Sequence, residues 1–547
     1  MGGPVDESAA LQTLWVAAKA ARQAGDLATS TAHLREALAL APDNLLVLRQ
    51  LATQLRLSGA VSEALALLEP ALPRAIDDSD LALTLADCLL QHSGAKAALG
   101  TLDYVLRQRL DQPLDLLLGK ARLLFLLQET REAQNVLRQV VQRAPERADA
   151  WALLGAVEYD CGNSGDAFIA SRLALKSDPK QAVAHGTLGQ IAAEAGDLEK
   201  ARKHYTKALA LEPENARIQY MLGLTDLTEG DYAAGWRGYA WRHRVVPRIA
   251  ADYSYGLPAW RPEETRPQGR LMIWGEQGVG DEIMFAGLAS ELLTREIRPR
   301  LLTDARLVPM LSRSLPGIEV MAREPGFAPR DHGVTRQVAA GDLGAVLRQS
   351  MDDFPRRNRY LVADPARVRH FRAKYADLAA DGAKLVGIAW RSSNQAQGAH
   401  KSVALADFAA ILRQSGCVFV NLQYGNNAAE IAALREQQGL TLHDDDEVDP
   451  LRSLEDQAAQ IAALDRVVSV SNSAVHLAGA LGMPTWLLLP GARGVQWYWG
   501  RSGQTTPWYS SLKLLRAGPE ESLAAQIARR AADFPAWLAD SRAITHN

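Results

Sequence analysis

The sequence predicts an α-helical solenoid followed by an α/β unit of two doubly wound halves that face a cleft. Three observations lead there. Gly25, Gly59, Gly94, Gln128, Gly162, Gly196 and Gly230 recur at steps of 34 or 35 residues. A proline follows five of these positions by seventeen residues, at Pro42, Pro145, Pro179, Pro213 and Pro247. Beyond Val246 the helical period gives way to short apolar runs alternating with helical stretches, in two sets.

A 34-residue period marks pairs of antiparallel helices that cannot bury their apolar faces alone and therefore stack. The clearest unit runs from Ala182 to about Asn215. Leu188 and Gly189 lie where the first helix meets its partner, and Gly196-Asp197 make the turn. Ala201, Tyr205 and Ala208 space the second helix, and Pro213 stops it. Trp151, Leu154, Gly155, Ala167, Ala174 and Pro179 hold the same places one period earlier. The repeats at Gly94 and Gln128 are degenerate, with Asp87 and Lys120 at positions usually small or apolar. A stacked array of this kind presents a curved surface that holds another chain.

Residues 248–269, with Pro258, Trp260, Pro262 and Pro267, read as a linker packed on a domain edge. Strands are expected at Leu271–Trp274, Arg300–Thr303, Ile318–Met321, Leu385–Trp390, Cys417–Leu422, Arg466–Val470 and Thr485–Leu489. The domains expected are a solenoid at 1–247, a first Rossmann-like half at 270–375 and a second at 376–547. A last helix is expected from Pro519 to Asp533, ended or kinked by Pro535.

Composition narrows the function. Sixty basic and 63 acidic residues give a net charge of −3, so no basic footprint points to nucleic acid. Cys88, Cys161 and Cys417 have neither disulfide nor metal-ligand spacing, which suits a reducing cytosol. No secretory leader is expected from Met1 to Asp6, and no apolar run is long enough to span a membrane. A cytoplasmic location is therefore expected.

Three motifs carry chemistry. In the first, the turn Gly278-Val279-Gly280-Asp281 lies between a strand and a helix, where glycines let backbone amides approach a ligand. In the second, a strand runs into Ser471-Asn472-Ser473 and a helix of small residues starts at once. Ser471 or Ser473 can cap that helix, the amides of Ser473, Ala474 and Val475 point at any bound phosphate, and His476 lies within reach of the same anion. In the third, Arg391 and Lys401, in the stretches Trp390 to Asn394 and His400 to Ser402, can neutralise a phosphate leaving group. Gln423 and Tyr424, at the next strand end, are candidate nucleotide contacts. The acidic run Asp444 to Glu447 reads as a solvated loop rather than a metal site. Trp497, Tyr498, Trp499, Trp508 and Tyr509 read as inter-domain packing rather than a sugar platform.

The stretch from about Leu11 to Arg244 resembles tetratricopeptide (TPR) repeats. The stretches Trp274 to Phe285, Val386 to Asn394 and Val467 to Pro490, in that order, resemble the heptosyltransferase-like (family 9) glycosyltransferases of the GT-B fold, in the bacterial branch fused to TPR repeats. The resemblance implies that Asp281 is the catalytic base, with Glu276 as runner-up, and that the later motif holds the donor's phosphates. That motif usually reads Asp-Thr-x-x-x-His. Here Ser471-Asn472-Ser473 replaces its acidic form, and His476 is kept. An aspartate would repel a donor bearing its own carboxylate, whereas an asparagine would not. CMP-activated nonulosonic acids are such donors.

The architecture also resembles enzymes that glycosylate flagellin with pseudaminic or legionaminic acid. The expectation is a protein O-glycosyltransferase that uses a nucleotide sugar, needs no metal or other cofactor, and acts on a protein held by the repeats, flagellin first among candidates. Two alternatives stand beside it: an inactive scaffold, and a lipopolysaccharide glycosyltransferase.

Overall fold

The structure, a computed structural model, describes residues 4–245, 255–263, 269–324, 326–355, 359–379, 382–392, 398–491, 493–518 and 520–540. Pro247, Pro267, Ser393, Asn394, Pro519 and much of the linker at 248–269 lie outside them. The chain divides into two compact units, Met1–Ile191 and Ala192–Asn547.

The first unit is built of helix pairs, among them Pro4–Gln23 with Leu27–Leu40, Leu114–Leu126 with Thr130–Arg143, and Ala148–Asp160 with Ser164–Ser177. The periodic turn positions share one backbone geometry. All six glycines have φ between +80° and +88°, and Gln128 has +64°. Only glycine enters that region without a steric penalty, and this is why glycine keeps the period. The four periodic prolines among the described residues each stand two residues past a helix end, as Pro145 follows Arg143 and Pro179 follows Ser177. The degenerate position Lys120 forms ion pairs with Asp103 at 2.9 Å and Glu132 at 3.2 Å. The core is a continuous stack that includes Leu51, Leu85, Leu102, Leu124 and Leu137.

The second unit opens with helices Leu198–Leu211, Ala216–Glu229, Tyr232–Tyr239 and Arg242–Val245, followed by two parallel sheets. The first sheet has the order β3-β2-β1-β4, with β1 Arg270–Trp274, β2 Arg300–Thr303, β3 Glu319–Ala322 and β4 Val334–Ala339. The second has the order β6-β5-β7-β8-β9, with β5 Lys384–Ala389, β6 Cys417–Asn421, β7 Arg466–Val470, β8 Thr485–Leu489 and β9 Leu512–Arg516. All seven expected strands form. Two more, β4 and β9, lie at sheet edges; their mixed Thr-Arg-Gln and Leu-Lys-Leu patterns do not stand out from helix or loop. The described part of the linker lies along β4, where Trp260 donates its amide to Gln337 at 2.7 Å and Gln337 donates to Pro258 at 3.0 Å.

The helices Tyr232–Tyr239 and Arg242–Val245 follow the repeat period but pack into the first sheet's half. Trp236 lies against Gly344 and donates its indole N–H to the Arg348 carbonyl at 2.7 Å. Near the C-terminus a helix runs over Leu523–Arg530. Pro535 stands in the first turn of a further short helix, Phe534–Ala539, rather than ending the previous one.

Candidate functional site

In a doubly wound sheet, ligands bind beyond the strand C-termini where the strand order reverses. In the first sheet that point lies between β1 and β4, and β1 leads into Gly275–Asp281. In the second it lies between β5 and β7, which lead into Trp390-Arg391 and Ser471–Ser473. The chemistry-bearing loops therefore stand at the two reversal points.

The first loop delivers Asp281 into the opening turn of the helix Val279–Ala289, whose N-cap is Gly278. Burial, then the charge of Glu276, pushes the Asp281 carboxyl up to about 7. The amides of Gly278 and Asp281 and the Lys401 charge pull the other way. A carboxylate poised near neutrality suits a general base. Glu276 is placed otherwise. Its Oε1 accepts from Arg242 at 2.6 Å and from the Gly341 amide at 2.9 Å, and its Oε2 accepts from Arg242 at 2.8 Å. It is 1% exposed. With both oxygens committed to the interior, it serves the loop and is not offered to a substrate.

Across from this loop, the helix Ser473–Leu481 follows β7. Its N-cap is Asn472, not Ser471 or Ser473: Asn472 Oδ1 accepts from the Val475 amide at 3.3 Å. The Asn472 Nδ2 donates to the Arg391 carbonyl at 3.1 Å, tying the end of β5 to this turn. Ser471 Oγ accepts from the Trp499 indole at 2.9 Å. Counted five residues back from His476, the aspartate of the family motif falls on Ser471 rather than on Asn472. The amides of Ser473 and Ala474 lead the helix, ahead of the capped Val475.

His476 departs from its expected role. It is 3% exposed, hydrogen-bonded through Nδ1 to Tyr509 Oη at 3.0 Å, and surrounded by Tyr498, Trp499 and Tyr509. Burial, with the Lys401 charge, pushes it down to about 3, so the ring is neutral and adds no positive charge. Its contribution is steric. A Cβ built on Gly280 would lie 2.7 Å from His476 Cδ2, so Gly280 is the close-approach point of the two helix starts.

Lys401, on the 3-10 turn Gly398–Lys401, is 5% exposed. Burial pushes its ammonium down, and the facing Asp281 carboxylate opposes that shift. Arg391 is committed elsewhere, to Glu430 at 2.7 Å and to Asn427 Oδ1. Gln423 also turns inward, its Oε1 accepting the amides of Trp390 at 3.0 Å and Arg391 at 2.7 Å. Tyr424 is half-buried.

Beside the end of β6 lies a cavity of about 330 Å³. Asp444, Asp446, Asp449, Gln457 and Gln460 contribute acceptors to its lining. Gln457 Nε2 donates to the Leu422 carbonyl, and Gln460 Nε2 donates to Tyr375 Oη, whose own proton goes to Asp445. Both amide orientations are thereby fixed, and each Oε1 has no partner among the described residues.

The acidic run is pinned rather than solvated throughout. Asp445 accepts from Lys374 and Tyr375, and Glu447 from Lys374 and His370. Among the described residues no group of three His, Cys, Asp or Glu is placed to hold a metal ion, and no helix is long and apolar enough to cross a membrane. The aromatic group packs between the halves, with Trp497 on Trp236 and Tyr239, and Trp508 on Phe285 and Phe354.

Sequence reasoning missed Arg242, Tyr239, Gln457 and Gln460. The only signal for Arg242 is an arginine at the end of a repeat whose partner should be apolar.

Comparison with known proteins fits this architecture. Residues 118–182 and 182–215 match models of the tetratricopeptide repeat. Protein O-mannosyl-transferase TMTC1 of Mus musculus is 26% identical over 137 residues, 24% of this chain and 14% of that protein. The structure of E. coli ADP-heptose lps heptosyltransferase II, 16% identical, covers 49% of this chain and 98% of its own, with a TM-score of 0.37. Protein FlbA of Caulobacter vibrioides is 31% identical over 440 residues, 75% of this chain and 71% of FlbA. The chain belongs to the FlbA family, with tetratricopeptide repeats ahead of two parallel-sheet α/β halves.

Proposed function

We propose that the protein transfers a sugar from a nucleotide donor to a serine or threonine hydroxyl of a protein held by its repeats. One observation carries this reading: an acid poised near pH 7, Asp281, stands where the first-half helix start meets the second-half helix start at Gly280 and His476. The acceptor oxygen attacks the anomeric carbon as the bond from that carbon to the phosphate oxygen breaks. Asp281 takes the hydroxyl proton, and the nucleotide leaves with the bonding pair. Lys401 and the amides of Ser473 and Ala474 meet the charge developing on the phosphate.

The donor proposed is a CMP-nonulosonic acid. With serine at 471, no carboxylate at that point opposes a donor that carries its own. Arg391 is occupied by Glu430, so Lys401 is the cation left at the site among the described residues, which suits one phosphate better than two. The acceptor-lined cavity beyond β6 suits the ribose hydroxyls and base amine of a cytidine. Flagellin is the acceptor proposed, on the likeness of the whole architecture to flagellin-modifying enzymes; the name TMTC1 carries, an O-mannosyl-transferase, is in keeping with a protein hydroxyl.

Isothermal titration of the full chain with CMP, UDP and ADP tests the donor, and preference for a diphosphate ends that part. Intact mass spectrometry of flagellin incubated with the protein and a CMP-nonulosonic acid, in excess EDTA, tests the transfer. No added mass in EDTA, but added mass with magnesium, would overturn the metal-free step. A truncation meant to remove the acceptor-binding repeats should end at Ile191, because a cut at Val245 also removes Arg242 and its bond to Glu276.

The scaffold reading draws on one observation, that the side chains of Ser471, Asn472 and His476 are all consumed by the fold. Donor hydrolysis by the wild type that is lost in Asp281→Asn decides against it.

A further inference from the structure

We propose that Arg242 is a positioning residue: from the helical segment it fixes the loop Gly275–Gly278 and so sets where, and in what field, the Asp281 carboxylate stands. The inference rests on the reading of Asp281 as the base.

Arg242 is 0% exposed and bonds through all three guanidinium nitrogens. It grips Glu276 through two parallel hydrogen bonds of 2.8 and 2.6 Å, donates to Asp342 at 2.6 Å and caps the Tyr239 carbonyl at 3.2 Å. His243 reaches the second oxygen of Asp342 at 2.9 Å. Tyr239 Oη accepts from Gln277 Nε2 at 2.6 Å, and Gln277 is held at φ +66°, a geometry that side chains rarely adopt. Two consecutive loop residues, Glu276 and Gln277, are thus gripped by two residues three apart on the helical segment. Nothing in the packing of a repeat end calls for a buried guanidinium. Apolar residues of similar volume generally hold such an interface at least as well, because the desolvation of three charges opposes the ion pairs. The arrangement is explained by what it positions.

The field at Asp281 follows. The groups facing Asp281 are Glu276 on its own loop, Tyr220 and Tyr239 from the helical segment, Lys401 from the turn after β5, Tyr498 and Tyr509 from the second half, and His476 against Gly280. The four tyrosines are pushed up by burial and His476 is pushed down, so all five are neutral in the working range. Among the described residues the charges left are Glu276 and Lys401. Arg242 fixes where the Glu276 carboxylate stands by pairing both of its oxygens.

The test uses the full chain and two readouts. Hydrogen exchange of the 275–282 segment reads the hold directly. Arg242→Gln and Tyr239→Phe are expected to speed it about tenfold or more, and Arg242→Lys, which keeps the charge but loses the fork, by about three- to tenfold. The pH profile of transfer reads the field. In Glu276→Gln the rising limb is expected to move to lower pH by about half a unit or more, as a neighbouring negative charge is lost, and in Arg242→Gln to higher pH, as a positive charge is lost, with kcat down about tenfold and donor KM within about twofold. Arg242→Lys is expected to restore the limb. A role in folding alone would lower the melting temperature and leave the limb where it was. Unchanged exchange, or an unmoved limb in both glutamine variants, overturns the inference. Should Arg242→Gln fail to fold, Tyr239→Phe and Glu276→Gln still decide it. A wild type with no transfer at any pH sinks the reading of Asp281, while the exchange result still decides whether Arg242 holds the loop.

Discussion

The two strand-to-helix loops of the site are built alike and used differently. Each leaves a parallel strand at a reversal of strand order, and each opens a helix at once. In the first, Gly275–Asp281, the side chains of Glu276 and Gln277 are held by Arg242 and Tyr239, and one side chain, Asp281, is left to titrate near neutrality. In the second, Ser471–His476, the side chains of Ser471, Asn472 and His476 are spent on the fold. Ser471 holds Trp499, Asn472 caps the helix and ties down β5, and His476 is buried and neutral. What remains there is backbone, with the Ser473 hydroxyl beside it. One loop offers a proton acceptor and the other offers amides, and a group-transfer site needs one of each.

The largest effect should come from the one side chain that titrates. Asp281→Asn is expected to lower kcat by about 10²–10⁴-fold while CMP affinity stays within about twofold. Because the ionised form accepts the proton, wild-type kcat should rise with pH through about 7, and a limb that stays flat from pH 5 to 9 would exclude Asp281 as the base. The linkage to stability has the opposite sign. The folded protein keeps this proton up to about 7 and the unfolded chain loses it near the ordinary carboxylate value of 3.8, so folding loses stability as pH rises between the two. Asp281→Asn should therefore be more stable than wild type at pH 8 in urea titrations. His476 acts on the acid side. The unfolded chain binds its proton below about 6.5 and the folded chain only near 3, so stability falls as pH drops through that window, by up to about 1.4 kcal/mol per pH unit.

How much of this could be read beforehand depends on how local the physics is. The turn glycines were legible because positive φ excludes most side chains at one position regardless of the rest of the fold. Five of the seven expected strands, β1, β2, β5, β7 and β8, lie inside their sheets and were legible because strands covered on both faces are continuously apolar. Asp281 was singled out by the family resemblance of its loop, in which an acid follows the glycines. Roles set by distant partners were not. Arg242 meets Glu276 after 34 residues and Asp342 after 100, so the repeat pattern around it reads as ordinary solenoid. Gln423 looked like a ligand contact and holds the end of β5, while His476 looked like an anion partner and is walled in by three aromatic rings. Local spacing states what a residue type can do; the partners decide whether it is left free to do it.

The next effect probes where the loops touch. Gly280→Ala puts a methyl group 2.7 Å from the His476 ring, and a ring fixed by Tyr509 and its aromatic neighbours cannot move aside freely. A loss of about 1–3 kcal/mol in urea unfolding is expected, with kcat down about tenfold because the two helix starts are forced apart. Pairing it with His476→Ala, which removes the obstacle, should recover part of the Gly280→Ala loss; strictly additive effects would mean that the contact does not matter.

Within the second loop, Asn472→Asp separates capping from tethering. A carboxylate still accepts the Val475 amide but cannot donate to the Arg391 carbonyl. Stability should fall by only about 1 kcal/mol, and CMP affinity by about tenfold as the end of β5 loosens and negative charge faces the phosphate. Affinity equal to wild type would show that the amides bind nucleotide without help from this tether, and would move attention to the cavity beyond β6.

The smallest effect separates backbone from side chain in the first loop, the only one of the two with a non-glycine residue at positive φ among its described residues. Gln277→Gly loses the bond to Tyr239 Oη but relieves the backbone at φ +66°, whereas Gln277→Ala loses the bond and keeps the strain. The glycine variant should be the more stable of the two by about 1 kcal/mol, read as the difference between their urea midpoints at equal m-values. Both should share the same reduction in kcat if the hold from Tyr239 is what matters. If the glycine variant is slower than the alanine variant, the left-handed turn itself positions Asp281, and the second loop, which has no such residue, achieves its geometry by a different route.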